Sequence, residues 1–569
     1  MKLSRTFLVA TALLFASCTT AVTPSYVDDV TPDGKLFGDY LAGSYANYLE
    51  DAEARSDYYA SAYNRAQDNV ELGRRAATSA LTAGNVDLAR TIAIEIQQKN
   101  PSEPMSRALL GGREFSKGLY APAKKYLEKP TEDIGMQILI SSMKGWNEYA
   151  MGDYDEARNT FGSISGGGYI QILGQIQIAK MEAALGNIEA AEEAFNLVDN
   201  SGLSTIEMAL SKARMQSASG DIETALKDLK KFSDDNGTFE AGPVKAYIET
   251  LKSGQPLGVN LTAQQEAARA LTEPALPDYG FFARNRAPEV GEVFLRMALT
   301  LDPGHDKAKV WLGRQLETTD REDEAYALYS SVPKSSPHAV SAELSKANIY
   351  FARKEDQKAL DVLETVNRDN PSFVTREALG RARMIRENYE EALPIYDELV
   401  QSLTEEELKQ DTQPLYFRAI AYERTKQWDK AEVDFKRVLE IDPDNADALN
   451  YLGYTWVDRG ENLTEAFDMI RKAVKLEPNS GAIIDSLGWA HYKLGQYAEA
   501  KIKLEEAVAL APSSATIVDH LGDVYWKLGR YREAGYQWER ALEFDPTDKE
   551  RANIQAKLKG GLEAVKAAP

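Results

Sequence analysis

The 569-residue chain has one cysteine, Cys18, and four histidines, His305, His338, His491 and His520. A single thiol rules out a disulfide within the chain. No two histidines have the spacing that places metal ligands on one helix face. His491 and His520 can approach each other across adjacent stretches, and otherwise each histidine reads as a packed or surface side chain. Catalytic motifs are missing too, with no HExxH and no nucleophile elbow. The one dense glycine run, Gly166-Gly167-Gly168, lacks a following Lys-Ser/Thr and a preceding strand-like segment, which excludes a phosphate loop. Carboxylate pairs such as Glu390-Glu391 and Glu505-Glu506 read as solvated helix faces. No enzyme, cofactor, metal or small-molecule substrate is expected. Basic residues are in deficit, 66 against 88 acidic, for a net charge of −22. That argues against nucleic acid, which needs a basic stripe, and against adhesion to anionic lipid through basic residues. A chain this long exceeds a single compact core.

What is present is a period. Gly84, Gly118, Gly152, Gly186 and Gly220 are each 34 residues apart, and each is followed five residues later by alanine: Ala89, Ala123, Ala157, Ala191 and Ala225. At average glycine usage the remaining four would fall on this grid by chance roughly once in fifty thousand trials, so the chain is a repeat array. The C-terminal copies are clearest: Leu487-Gly488, Gly495, Tyr497, Ala500, Ala507 and Pro512 recur as Leu521-Gly522, Gly529, Tyr531, Ala534, Ala541 and Pro546. Gly453, Gly488 and Gly522 predict a helix crossing where a side chain would not fit, because glycine otherwise costs up to about 1 kcal/mol there. The same slot holds Ala77, Gly111, Gly145, Ala179 and Ala213. Gly495 and Gly529 suit left-handed caps of the first helix. Leu487, Leu504, Leu521 and Trp538 fill the space between helices, and Pro512 and Pro546 end the second helix.

This pattern resembles the tetratricopeptide repeat (TPR). The resemblance implies an all-α fold, a right-handed superhelical solenoid of about fourteen TPR-type helical hairpins with a C-terminal capping helix over Lys549 to Leu562. The motif is strong in 413–548, good in 70–232 and degenerate between. There Ala325, Ala359, Ala392 and Ala431 keep the phase, with a last gap of 39 that an insertion within Gln401 to Gln410 explains. Residues 233–305 form degenerate repeats: Gly254 is on the grid but Val259 replaces alanine, and Pro256, Pro274, Pro277 and Pro288 follow. One hairpin there reads as split by a loop, either a hinge between an array of 36–232 and one of 306–548 or a decorated repeat.

Lys2 and Arg5 precede an apolar run, Phe7 to Ala16, too short to span a bilayer and suited to a signal peptide over 1–17. Leu14-Phe15-Ala16-Ser17-Cys18 resembles a bacterial lipobox, Phe15 departing from it, and implies acylation of Cys18. An ordinary signal cut near Ser17 or Ala21 is the alternative, giving a secreted periplasmic protein. Thr19 after the cysteine suggests the outer membrane. Residues 18–35 read as a flexible tether with a typical span of roughly 20–25 Å, and 549–569 as capping helix and tail.

In TPR proteins the first helix of each hairpin lines a groove. The groove slots here hold Asn450, Tyr454, Asp485, Trp489, Tyr492, Asp519, Asp523 and Trp526, with an earlier cluster of Phe115, Trp146 and Tyr149. Aromatics suit interface anchors, and the carboxylates between them suit a basic or amide-rich peptide. Packing between neighbouring first helices is the other reading of the same aromatics. Asp485 and Asp519 replace the cations of the carboxylate-clamp variety, which excludes that mode. The overall plan resembles Gram-negative outer-membrane TPR lipoproteins, including those that bind and activate a carboxy-terminal processing protease. The expected function is a non-enzymatic adaptor that binds other proteins and reaches the membrane through its lipid. The alternative is a structural part of an envelope assembly or exopolysaccharide export complex.

Overall fold

The computed structural model describes residues 32–164, 169–201, 205–236, 241–255, 257, 261–276 and 288–566. The signal segment, Cys18, tether residues 19–31, Gly166-Gly167-Gly168, Pro256, Val259 and Pro277 lie outside them. The described residues form 32 α-helices and no strand, an all-α repeat array. Two compact units divide within the helix Asp356–Asp369, one ending at Val362 and the other starting at Leu363.

Each helix starts and stops for local reasons. The Asn69 side chain accepts the Leu72 N–H at 3.0 Å and Asp133 that of Met136 at 2.8 Å, each satisfying an orphan donor of the first turn. The grid glycines end the first helices: Gly84, Gly118, Gly152, Gly186 and Gly220 all have φ between +73° and +90°. In the degenerate middle the same left-handed position is held by Asp320, Lys354, Glu387 and Lys426, at φ +58° to +63°. Each stands five residues before the phase-keeping alanine, so the turn survives where its glycine does not.

Small residues then let the two helices of a hairpin touch. A Cβ on Gly453 would lie 2.8 Å from Ile470, one on Gly488 2.7 Å from Leu504 and one on Gly522 2.5 Å from Trp538. In the N-terminal repeats the second-helix alanines Ala89, Ala123, Ala157, Ala191 and Ala225 are fully buried. Thr404 caps a short extra helix, Glu405–Gln410, which accounts for the long gap before Ala431. After the last hairpin, Thr547 and Glu550 form a capping box that starts the helix Asp548–Gly560, and a short helix, Leu562–Lys566, follows it.

The helices Ala263–Thr272 and Pro288–Leu301 pair with each other on either side of the proline-rich stretch. Together they pack against first helices of the N-terminal repeats: Ala263–Thr272 on Ile134–Met151, and Pro288–Leu301 on Val70–Thr82 and Pro104–Ser116. Val293, Phe294 and Met297 share one core with Phe115, Met143 and Trp146. Polar contacts pin the arrangement. Gln264 donates to the Phe115 carbonyl at 3.1 Å, and Lys180 pairs with Glu266 at 2.5 Å. The first-helix face of the N-terminal array is therefore covered by the chain itself.

Candidate functional site

That covering corrects one expectation. Phe115 and Trp146, read from the repeat phase as groove-facing, have no exposed surface. Trp146 packs edge-on against Tyr149 at 5.3 Å and against Phe161 at 5.4 Å, and Tyr149 is only partly exposed at the margin of the same core. The helices Ala263–Thr272 and Pro288–Leu301, far along the chain, cover these positions, which periodicity cannot register.

The C-terminal slots form a different site. The helices Ala446–Arg459, Gly481–Lys493 and Ala515–Lys527 are first helices of successive hairpins. Side chains at matching positions therefore fall in a row. Tyr492, Trp489 and His520 stack in that order, with ring centroids 4.6 Å and 4.0 Å apart and planes tilted by 13° and 18°. The His520 Nδ1 lies 2.9 Å from one Asp485 oxygen and 3.1 Å from the other. Burial opposes a charge on His520, but Asp485, helped by Asp519 and Asp523, outweighs it and raises the histidine above its ordinary value. A protonated imidazole against Trp489 adds a cation–π attraction. Beside the stack, Tyr454 is half-buried, and burial with the Asp485 and Asp458 carboxylates raises its hydroxyl. Asn450 Oδ1 and Trp489 Nε1 are both out of solvent without a hydrogen-bond partner.

Asp485 and Asp523 are buried, which corrects the expectation of open groove carboxylates. Asp485 is committed to His520. Asp523 accepts the Trp538 Nε1 donor at 3.0 Å and holds Lys557 at 2.8 Å, and Lys557 reaches Asp519 at 2.7 Å. Burial and the neighbouring Asp519 push the Asp523 carboxyl up to about 6 against the pull of Lys557. Trp526 is half-covered in turn: Gly561 lies against its ring, and Leu562 joins the same cluster. The slots at Asp519, Asp523 and Trp526 are thus occupied by the cap, while Asn450, Tyr454, Trp489 and Tyr492 keep accessible surface. His491 and His520 do not pair: His491 Nδ1 meets Gln496 at 2.7 Å and its ring meets Phe467.

Repeat phase missed a second polar cluster, around His305 and His338. Their separation of 33 residues, close to one repeat, was the available signal. No group of three or more metal-ligating side chains occurs among the described residues, and none of the described helices is long and apolar enough to cross a membrane.

Tetratricopeptide-repeat family models match residues 413–445 and 486–549. A TPR repeat-containing protein of Pseudomonas aeruginosa is 32% identical over 201 residues, 34% of this chain. The chain spans about a third, 32%, of that relative's length. Among solved structures, the Cut9–Hcn1 hetero-tetramer of APC/C covers 95% of the chain and 98% of its own, at 13% identity and a TM-score of 0.38. A tetratricopeptide repeat protein from Parabacteroides merdae covers 51% of this chain and 97% of its own, at 16% identity and a TM-score of 0.35. Both scores are too low to establish a shared overall architecture. The sequence matches and the hairpin geometry agree on one identity: this chain carries tetratricopeptide repeats.

Proposed function

We propose that the protein is a non-enzymatic interaction scaffold of the bacterial envelope, acylated at Cys18, held at the outer membrane facing the periplasm, and recruiting or activating an envelope protease. TPR arrays serve as protein-binding scaffolds, which supports the coarse reading. The observation that carries the site is the Tyr492–Trp489–His520 stack, of which Tyr492 and Trp489 keep accessible surface on a row of first helices while His520 is buried behind them. Accessible aromatics anchor interfaces because they bury much area at low entropic cost.

Membrane proximity draws support from the first described helix, Pro32–Tyr48, which begins within the last residues read as tether. Phe37, Leu41, Tyr45 and Tyr48 are 56–80% exposed along one side of it. Aromatic and aliphatic side chains in this arrangement suit the headgroup boundary of a bilayer.

The experiment is an affinity pull-down from detergent-solubilised envelope, comparing wild type with a Trp489→Ala, Tyr492→Ala double variant. Loss of a protease partner at unchanged helicity supports the reading. Retention of every partner by the folded variant places the binding surface elsewhere. Metabolic labelling with an alkyne fatty acid, lost in Cys18→Ala, tests the anchor.

A further inference from the structure

Within the N-terminal unit a cavity of about 210 Å³ opens between five stretches of chain. Its walls include Glu207, Tyr247, Arg269, the segment Gly304 to Lys307, and Ser336 to His338. The acidic groups on this wall already have partners. Glu207 takes Arg214 and Arg269 at 3.1 Å each and Lys180 at 3.5 Å. Asp306 takes Lys309 at 2.8 Å, and Asp302 accepts the Gly304 N–H at 3.0 Å.

Of the cations on the wall, Lys307 is taken by Glu273 at 2.9 Å, and Arg269 is less fully engaged. Arg269 gives Nη1 to Glu207, and the same fork borders the cavity with its side chain 22% exposed. His305 and His338 cap the helices Asp306–Glu317 and Ala339–Ala352, and neither side chain closes its helix. Two helix N-termini, each with a partial positive charge, therefore meet at one polar cavity. The His305 Nε2 is out of solvent and has no hydrogen-bond partner, which singles out this cavity among helix ends. A buried polar nitrogen left unsatisfied costs about 1–3 kcal/mol, a cost that a bound partner would remove. Burial, with Arg269 and Lys307 among the contributors, lowers His305 to about 3 and His338 to about 4. Both imidazoles are thus neutral at physiological pH, where each can present one N–H without a proton's charge.

We propose that this cavity binds a small oxyanion, a carboxylate or a phosphate, gripped by Arg269, by His305 Nε2 as donor and by the open first turns at His305 and His338. The volume is below that of drug-sized pockets, so the ligand is a metabolite-sized anion or the anionic tip of one. The site joins Glu207 and Arg269 to the loops at 302–306 and 336–338. Occupancy would therefore tie the helix Ala263–Thr272, which covers the N-terminal repeats, to the repeats that follow it. This inference stands apart from the aromatic stack and does not rest on it.

The test titrates purified full-length protein in detergent with inorganic phosphate and, separately, with succinate, by calorimetry and thermal melting. Saturable binding with a Kd at or below about 1 mM, accompanied by a rise in Tm, is expected from at least one of them. Arg269→Gln should weaken it tenfold or more. Because that change also releases Glu207, Ser336→Asp serves as the second variant: it keeps an acceptor for the His338 N–H and adds a repelling charge on the cavity wall. Response to phosphate alone, or to succinate alone, identifies which oxyanion the site takes. The proposal is overturned by wild type showing no saturable response to either anion up to about 10 mM, or by a folded Ser336→Asp variant that binds as tightly as wild type.

Discussion

Lys557 places its ammonium 2.7 Å from Asp519 and 2.8 Å from Asp523, with all three side chains largely out of water. It comes from the helix after the last repeat, so the chain's own cap fills acidic slots that would otherwise suit a basic partner. Removing one partner of a buried ion pair leaves an uncompensated charge, at a cost of about 3–5 kcal/mol. Lys557→Ala should destabilise the C-terminal unit by roughly that much, and urea unfolding followed by tryptophan fluorescence measures it. Adding Asp519→Asn and Asp523→Asn to Lys557→Ala should recover part of the loss. No recovery would mean that the cap is held by packing and that its charges are incidental.

The same corner should respond to pH. His520 is raised in the folded state, so its stabilising contribution is complete below its unfolded value of 6.5 and fades as pH climbs through the higher folded one. Asp523 is raised from 3.8 to about 6, so folding takes up a proton there and its contribution likewise disappears as pH rises through 6. Both groups act with the same sign. The C-terminal unit should melt higher near pH 5.5 than near pH 8, with Asp523, titrating near 6, supplying about 1 kcal/mol of the difference and His520 adding to it in the same direction. A His520→Gln, Asp523→Asn variant should show a flatter profile over that window. An equally steep profile in the variant would assign the effect to other groups.

Non-glycine residues at left-handed turns carry strain. Lys354 and Glu387 sit at φ +60° and +59°, where a side chain costs about 1–2 kcal/mol. Glycine would relieve that strain while giving back about 0.4–1 kcal/mol in unfolded-chain entropy. Lys354→Gly and Glu387→Gly should each stabilise by up to about 1 kcal/mol in denaturant titrations. Lys354→Ala, which keeps the Cβ, should give no such gain.

Two glycines of one hairpin should respond in opposite directions to alanine. A Cβ on Gly522 would lie 2.5 Å from the Trp538 ring, and overpacking of that kind costs about 1–3 kcal/mol. Gly535, inside the helix Tyr531–Leu542, has no atom within 4 Å of its would-be Cβ, so alanine there should stabilise by up to about 1 kcal/mol through helix propensity. Thermal melts of the two single variants decide it, and a shift of the same sign in both would refute the crossing argument.

The hairpins were legible because their signals are local. A left-handed turn favours glycine, and a tight crossing favours a small residue, at every recurrence of the unit. Where a turn keeps its geometry without glycine, as at Asp320, Lys354, Glu387 and Lys426, the signal weakens and only the alanine five residues on preserves the phase. The groove slots were legible as positions and not as surfaces. Trp489 and Tyr492 kept accessible area, whereas Trp146 and Asp523 held the same kinds of slot and were buried. Whether a slot is open depends on what else in the chain comes to cover it.

The amino-acid sequence by itself determined the helical hairpin, its period and the places where helices turn and touch, because each depends on a few neighbouring residues and on backbone sterics. Only the tertiary structure decided that helices from 263–301 would close the face of the N-terminal repeats, that Lys557 would occupy the last acidic slots, and that His305 and His338 would share one cavity. Gln264 meets the Phe115 carbonyl across 149 residues of chain, and Lys557 meets Asp519 across 38. Those contacts arise from burial of whole helix faces against one another, a driving force that is non-directional and leaves no local pattern to read.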